Sequence, residues 1–330
     1  MTETINPRRI SDPAQLAELV KAGDKRAVAR AITIVENDED RAAALIDALH
    51  GAGGQAFVFG LTGPPGAGKS TLTAALVGEL LEQGHKVGVI AVDPTSPYSG
   101  GALLGDRVRM GRIASNDDVF IRSMATRGSL GGLSRKTVDA IIVLDAAGYD
   151  RIIVETVGVG QSEVEIASTA DTTVVVLSPE AGDGIQAMKA GLMEVADVFC
   201  VNKADRDGAD RLVREITAAV SIAGGKEEGW APDVTKTVAR SGEGVPELLT
   251  AIENHHKRQT EEGVFEAARR RNSQRRISFI ASDALTRELL AGREELLEAL
   301  AEAVVQRTKT PYRAAEELVD AFLAERLKQG

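Results

Sequence analysis

Between residues 11 and 50, apolar positions recur at helical spacing among charged ones: Leu16, Leu19, Val20, Val28, Ile32 and Ile34, then Ala43, Leu45, Ile46 and Leu49. The pattern predicts two or three short amphipathic helices, which Gly51-Ala52-Gly53-Gly54 brings to an end. From residue 56 the periodicity changes. Short β-branched and apolar runs at 56–61, 86–92, 151–154, 172–177 and 198–201 alternate with helix-like segments. A strand that is apolar at every position is covered on both faces, so this alternation predicts an α/β fold with a mostly parallel central sheet between helices.

The sheet domain is expected to close near residue 254, after the helix-like Val245-Pro246-Glu247-Leu248-Leu249. Beyond it, 260–305 and 311–328 read as helices parted by Thr308-Lys309-Thr310-Pro311. The expected division is a helical segment over 1–54, the α/β domain over 55–254 and a helical segment over 255–330. The last of these carries Ile277, Phe279, Ile280, Leu285, Leu289, Leu290, Leu296, Leu297, Leu300, Leu318, Val319, Phe322 and Leu323. That is more apolar surface than a lone hairpin buries, so the tail packs on the core or forms a subunit interface. We read it as an interface, which predicts a homodimer.

Composition narrows the classes. A chain of 330 residues with 43% hydrophobic and 27% charged positions is ordinary for a globular protein. Thirty-nine Lys and Arg against 49 Asp and Glu leave a formal charge of −10, which argues against a general nucleic-acid or anionic-membrane binder, because phosphate contacts need a basic face. Any phosphate site must be local. The basic cluster Arg269-Arg270-Arg271 with Arg275-Arg276 would spread around a helix, and it reads as a solvated, salt-bridged face more readily than as a dock for an acidic partner. The opening residues Met1 to Pro7 lack the basic-then-apolar order of a secretion signal, and no run approaches about 18 apolar residues, so a cytoplasmic protein without a membrane span is expected. Cys200, alone in the chain, sits in Val198-Phe199-Cys200-Val201 and reads as a small buried hydrophobe.

One stretch carries specific chemistry. Gly63-Pro64-Pro65-Gly66-Ala67-Gly68-Lys69-Ser70 matches G-x-x-x-x-G-K-[ST], after a predicted strand and before a predicted helix over Thr71 to Leu81. Small residues let backbone N–H groups converge on a polyphosphate, the helix N-terminus adds partial positive charge, Lys69 neutralises β and γ oxygens, and Ser70 offers a hydroxyl to Mg2+. A structural Gly-rich turn accounts for the glycines but not for Lys and Ser at those offsets. Asp93 and Glu155 each follow a predicted strand, at the carboxyl edge where open parallel sheets hold ligands.

After the run 198–201 comes Asn202-Lys203-Ala204-Asp205, an N-K-x-D sequence. A carboxylate at Asp205 accepts from both N1–H and the exocyclic amine of guanine, whereas adenine presents an acceptor at N1 and no amine, so GTP is favoured over ATP. Lys203 can lay its stem over the base, and Asn202 can brace this loop against the P-loop. The following Thr237-Val238-Ala239-Arg240-Ser241-Gly242-Glu243-Gly244 would turn backbone N–H groups toward the guanine carbonyl oxygen.

These residues resemble the MeaB-type GTPases, also called ArgK or methylmalonyl-CoA mutase-associated GTPases, of the G3E group of P-loop proteins. The resemblance rests on Gly60 to Thr71, on Ala91-Val92-Asp93-Pro94-Thr95-Ser96-Pro97 with Ser99-Gly100-Gly101 and Leu104 to Met110, and on Glu155-Thr156-Val157-Gly158-Val159-Gly160-Gln161-Ser162. It covers roughly 55–250. It implies Ser70, Asp93, Asp106 and Glu155 as Mg2+ ligands, Gly158 as part of a γ-phosphate sensor, and Thr62, Gly63, Pro64, Pro65, Gly66, Ala67, Gly68, Lys69, Ser70, Thr71, Asn202, Lys203, Asp205, Val238, Ala239 and Arg240 as contacts to GTP or GDP. Val238 departs from the family, where Ser is common before Ala-Arg. The resemblance also implies a C-terminal dimerisation arm. It implies as partner an adenosylcobalamin-dependent methylmalonyl-CoA mutase, or a related acyl-CoA mutase, which such proteins load and protect at the expense of GTP.

On that reading Mg-GTP orders the 93–110 and 155–165 loops and hydrolysis releases them. Lys69, Asp93 and Glu155 are the candidate catalytic groups, with Gln161 a further candidate for positioning water. No glutamine stands where Ras-like enzymes place one, so slow intrinsic hydrolysis, stimulated by a partner, is expected. Pro179 to Gln186 resembles a further mobile loop of the family and is otherwise an ordinary strand-to-helix connection. Three competing readings carry less. A metallochaperone GTPase would want a Cys- or His-rich tract, whereas the chain has one Cys and four His, and His255-His256 reads as a surface pair on a helix. A small-molecule kinase sits poorly with N-K-x-D, and a targeting GTPase would carry D-T-A-G and a basic face.

Overall fold

The computed structural model describes residues 10, 12–93, 115–125, 135–156, 166–181, 192–222 and 231–329, and of Asp93, Ala125, Ala181, Lys328 and Gln329 the backbone only. Three short helices lead: α1 (Pro13–Lys21), α2 (Lys25–Asn37) and α3 (Glu39–Leu49). Each starts where an aspartate accepts from its first free N–H groups. Asp12 takes Ala14 N, Asp24 takes Arg26 N and Ala27 N, and Asp38 takes Arg41 N, a cap worth about 1 kcal/mol apiece.

The α/β part follows as β1 (Phe57–Thr62), α4 (Lys69–Glu82), β2 (Val87–Asp93), β3 (Val119–Ala125), α5 (Arg135–Ala146), β4 (Arg151–Thr156), β5 (Thr172–Leu177), the single turn α6 (Leu192–Val195), β6 (Val198–Asn202), α7 (Ala209–Ile222), β7 (Asp233–Thr237) and α8 (Val245–Glu261). Seven strands form one sheet in the order β3-β2-β4-β1-β5-β6-β7, every described pairing parallel. The predicted class therefore holds, and the alternation inside single strands shows why their runs are continuous. Val174 and Val176 of β5, with Val198 and Cys200 of β6, pack under α4 and α8. Val175, Leu177, Phe199 and Val201 point the other way, into the cluster that includes Leu212 and Ile216 of α7.

Two strands went unpredicted. Edge strands β3 and β7 carry polar Arg122 and Ser123, and Thr235 and Lys236, so neither shows a continuous apolar run. On the β3 side, α1–α3 and α5 share one buried cluster with Ile90, Val92, Ile152 and Val154 of the sheet.

By internal contacts the chain divides into Met1–Arg269 and Arg270–Gly330. The stretch expected as one helix over 260–305 is three pieces, the end of α8, α9 (Val264–Leu290) and α10 (Glu294–Val305). Gly263 and Gly292, both at φ 71°, take the left-handed conformation that ends each preceding helix. In the second unit Leu300 of α10 packs with Ala314 and Leu318 of α11 (Pro311–Gln329), while Ile277, Leu285, Val305, Tyr312 and Leu323 are exposed. No described helix is long and apolar enough to cross a membrane.

Arg269 is salt-bridged as expected and half-exposed: it pairs with Asp171 (3.2 Å) and donates to Ala56 O (3.3 Å), inside the first unit. The reading of the histidine pair needs correction. His255 is buried, bonded to Thr172 Oγ1 at 2.9 Å, and His256 stacks on Phe57 at 4.1 Å between ring centroids. Helix α8 lies on the sheet, which buries the side of it that carries them.

Candidate functional site

The parallel arrangement brings the loops after β1, β6 and β7 to one edge of the sheet. The first is the predicted phosphate cradle. Gly63, Gly66 and Gly68 have φ of 133°, 81° and 91°, conformations that turn successive N–H groups inward and that residues with a Cβ adopt at a cost. At Gly63 a Cβ would also stand 2.1 Å from Val176 O, because the loop leaves β1 pressed against β5. Gly68 opens α4 without any side-chain cap, so the N–H groups of the first turn are available to an anion. Lys69 is buried, and its Nζ donates to Gly63 O (2.6 Å) and Pro64 O (3.0 Å), which places the ammonium at the mouth of the loop. Thr62 is buried and accepts from Thr156 Oγ1 at 3.0 Å, so it ties β1 to β4 at the loop's root.

Glu155 stands within β4, not beyond it, opposite Leu61 of β1 and Ala91 of β2. It is buried and accepts from Ser70 Oγ at 2.5 Å and Thr73 Oγ1 at 2.8 Å. Ser70 and Glu155, both predicted ligands, are thus in contact at the start of α4. A hydroxyl and a carboxylate are hard oxygen donors of the kind Mg2+ takes alongside phosphate and water, so the donor set fits that ion. Among the described residues no group of three or more His, Cys, Asp or Glu is placed to hold a metal ion by itself. Asp106, Gly158, Gln161 and the side chain of Asp93 lie outside the described residues.

Next to the cradle opens a cavity of about 270 Å³, lined by Gly68, Thr71, Asn202, Lys203, Asp205, Arg206 and residues 238–241. Asn202 builds its wall. Its Nδ2 donates to Ala67 O at 2.9 Å, while its Oδ1 accepts from Thr237 Oγ1 and from Ala239 N, each at 3.1 Å. One buried amide so joins the loops after β1, β6 and β7, and a Cβ on Gly68 would stand 2.5 Å from its Nδ2. Of the N–H groups expected to face a guanine oxygen, Val238 N donates to Glu243 O at 2.8 Å, Ala239 N to Asn202 Oδ1 at 3.1 Å, and Ser241 N and Gly242 N to Val238 O at 3.0 Å, while those of Arg240, Glu243 and Gly244 have no protein acceptor among the described residues. Cys200 lies beneath, 3.2 Å from Thr237 Oγ1, with burial pushing its thiol up to about 12, so it is no nucleophile.

Three contributors were missed in the sequence. Thr73, three residues after Ser70 on the same face of α4, was legible from helical spacing alone. Glu180 stands out in the sequence only as part of the segment 179–186 and Arg206 not at all; the two pair at 3.3 Å beside Lys203.

Comparison with known proteins agrees with this geometry. Residues 28–294 match the family described as methylmalonyl Co-A mutase-associated GTPase MeaB. A Pyrococcus horikoshii chain named as a GTPase is 50% identical over 311 residues, covering 94% of this chain and 98% of its own. The GTPase ArgK of Escherichia coli is 38% identical over 270 residues, 79% of this chain and 82% of its own, and the mitochondrial methylmalonic aciduria type A homolog of Mus musculus is 36% identical over 325 residues, 92% and 78%. A crystal structure described as a LAO/AO transport system kinase superposes with a TM-score of 0.73 at 28% identity, over 97% of this chain and 100% of that one. With four-fifths of its length matched and its P-loop sheet shared, the chain belongs to the MeaB family of P-loop GTPases.

Proposed function

We propose that this GTPase holds GTP with its phosphates in the 63–70 cradle and its guanine in the adjoining cavity, and that it works as a chaperone of an adenosylcobalamin-dependent acyl-CoA mutase, methylmalonyl-CoA mutase or a relative. The carrying observation is the Asn202 bridge, which sets the cradle and the cavity side by side at a fixed spacing. Asp205, at the cavity wall, is the base-reading carboxylate, and Lys203 and Arg240 complete the purine side. Lys69 offsets charge on the β and γ phosphates, and the inward N–H groups of the loop hold the bridging oxygens. Ser70 and Glu155, with Asp93 and Asp106, would hold Mg2+, which when bound neutralises charge on the phosphates.

The mutase reading is supported by the family's description and by the name of the mouse relative. On this reading hydrolysis is slow until the mutase supplies the missing contacts, and it times cofactor loading. The segment 255–330 serves as a dimerisation arm, for which its exposed apolar positions are the support. The chain acts in the cytoplasm, where a single buried Cys200 is at home.

Calorimetry with GDP, GTP and ADP tests the pocket: strong preference for the guanine nucleotides is expected, and equal binding of ADP would remove the guanine reading. In Asp205→Asn the amide donates where the carboxylate accepted, so affinity should swing from guanine toward xanthine nucleotides. Co-purification with candidate mutases in GDP and non-hydrolysable GTP tests the partner. Binding that ignores nucleotide state would leave the timing role unsupported. The kinase named for the solved neighbour predicts transfer to an added acceptor, so stoichiometric phosphate release into water without one decides against it.

A further inference from the structure

The loop that leaves β5 reaches the purine side of the site through one carboxylate. Glu180, in the single 3-10 turn Pro179–Ala181, accepts from Lys203 Nζ at 2.8 Å on one oxygen and pairs with Arg206 Nε at 3.3 Å on the other. Arg206 Nε in turn lies 3.8 Å from Asp205 Oδ2. Two consecutive features of the base-reading loop, a cation and a carboxylate, are therefore tied to a residue from a different strand's exit.

The backbone shows why that tie matters. Lys203 has φ 57°, in the left-handed region, which side chains with a Cβ disfavour. Such a conformation persists only where the surroundings over-determine it. Ala204 N donates to Thr237 O at 3.0 Å and Arg206 N to Lys203 O at 2.9 Å, which hold the main chain. Glu180 holds the opposite end of the side chain. Between these anchors the stem lines the cavity, with Cε 4.0 Å from the position of a Cβ on Gly68. A free lysine stem samples many rotamers, and a stem fixed at both ends does not lose that freedom when a flat ring settles against it.

We propose that Glu180 is a positioning residue for guanine recognition: by binding Lys203 and Arg206 it sets the lysine stem and, through Arg206, the Asp205 carboxylate before the nucleotide enters. This rests on the reading of the cavity as a guanine pocket. Its ligand is the base end of GDP and GTP alike, so it acts on nucleotide affinity and not on phosphate chemistry. The hydrogen bond from Lys203, followed by its charge, holds the Glu180 carboxyl below the usual carboxylate range, so the tie persists through neutral pH. Because Glu180 and Arg206 are exposed, the tie is modest and screened by salt.

The test measures GDP and GTP affinity of the full chain carrying Glu180→Gln, Glu180→Ala, Lys203→Met and the pair Glu180→Gln/Lys203→Met. Glu180→Gln should weaken both nucleotides by the same factor, about threefold to fivefold at low salt, and Glu180→Ala at least as much. The loss should shrink at high salt, kcat should stay unchanged, and the melting temperature of the nucleotide-free chain should not move. In the Lys203→Met background, which keeps a stem but no ammonium, Glu180→Gln should cost clearly less than on its own. A guanine-selective chain on which Glu180→Gln has no effect, or an equal effect with and without the lysine, overturns this role alone. A chain that binds ADP as well as GDP overturns the guanine reading and this role with it.

Discussion

Asn202 Nδ2 donates to Ala67 O at 2.9 Å, across 135 positions of sequence. The same side chain accepts from Thr237 and Ala239, and Ala67, Thr237 and Ala239 are all buried, so water does not readily replace any of the three bonds. Asn202→Ala leaves Ala67 O, Thr237 Oγ1 and Ala239 N without that partner, and each buried group stranded this way costs about 1–3 kcal/mol. The expected result is a melting temperature lowered by several degrees and a GDP affinity reduced at least tenfold, read by differential scanning and calorimetry. Gly68→Ala should reproduce much of the affinity loss, because its Cβ collides with the same amide at a residue of φ 91°. Wild-type affinity in Asn202→Ala would mean that the two loops hold their spacing without the bridge.

Thr73 supplies the second hydroxyl on Glu155. Its Oγ1 stands 2.8 Å from Glu155 Oε2 and 3.0 Å from Lys69 O, and with one proton it serves the charged acceptor better. Thr73→Val keeps the shape and removes the hydrogen bond, freeing the carboxylate to rotate. We expect a weaker dependence of GDP release on Mg2+, with the Mg2+ concentration needed for half-maximal retention raised about threefold to tenfold, and Thr73→Ser restoring it. Fluorescent-nucleotide release with and without Mg2+ reads this apart from turnover. If the valine and serine variants behave alike, the hydroxyl does not orient Glu155.

His256 predicts the acid limb of stability. Burial against Phe57 and Phe265 lowers its pKa, with Asp171 and Glu253 opposing and Arg269 and Arg151 assisting that shift. A histidine whose folded pKa falls below its unfolded value, near 6.5, binds protons more readily when unfolded. Its contribution therefore tells against the fold as pH drops below about 6.5 and stays absent above it. Urea unfolding at pH 7.5 and 5.5 should show a loss on acidification that is smaller in His256→Phe, which keeps the ring stack. An identical pH dependence in both chains would assign the acid limb to other groups.

The second unit yields a prediction about assembly. Leu285 and Leu323 are 60% and 50% exposed, the first on α9, which buries none of its residues, the second on α11, whose small core with α10 is Leu300, Ala314 and Leu318. If these faces meet a second copy, Leu285→Glu with Leu323→Glu buries charge in the interface and should shift the molecular mass in light scattering from dimer to monomer. Nucleotide affinity should be spared. A wild-type chain that is already monomeric at micromolar concentration would remove the arm from the account.

The central strands and the cradle were legible because each depends on local rules. Continuous apolar runs require burial on both faces, and Gly63 to Ser70 has few uses besides holding phosphate. Edge strands β3 and β7 escaped because half-exposed strands tolerate polar residues such as Arg122 and Lys236. The division of 260–305 escaped because Gly263 and Gly292 each interrupt otherwise good helical periodicity for a single residue. His255 and His256 looked like surface residues because a helix's polar positions do not say which side the sheet will take.

Residue order alone decided the chemistry on offer: a lysine and a hydroxyl at the head of a helix, an aspartate suited to guanine, and no cluster of soft ligands. These follow from the kinds of atom present and from spacings of a few residues, which the chain carries wherever it goes. Tertiary structure decided which of these groups meet. The contacts of Asn202 with Ala67, Glu155 with Thr73, and Glu180 with Lys203 join strands that the parallel crossovers bring to one edge. Short-range pattern cannot encode such pairs, because their proximity is set by the packing of the whole sheet.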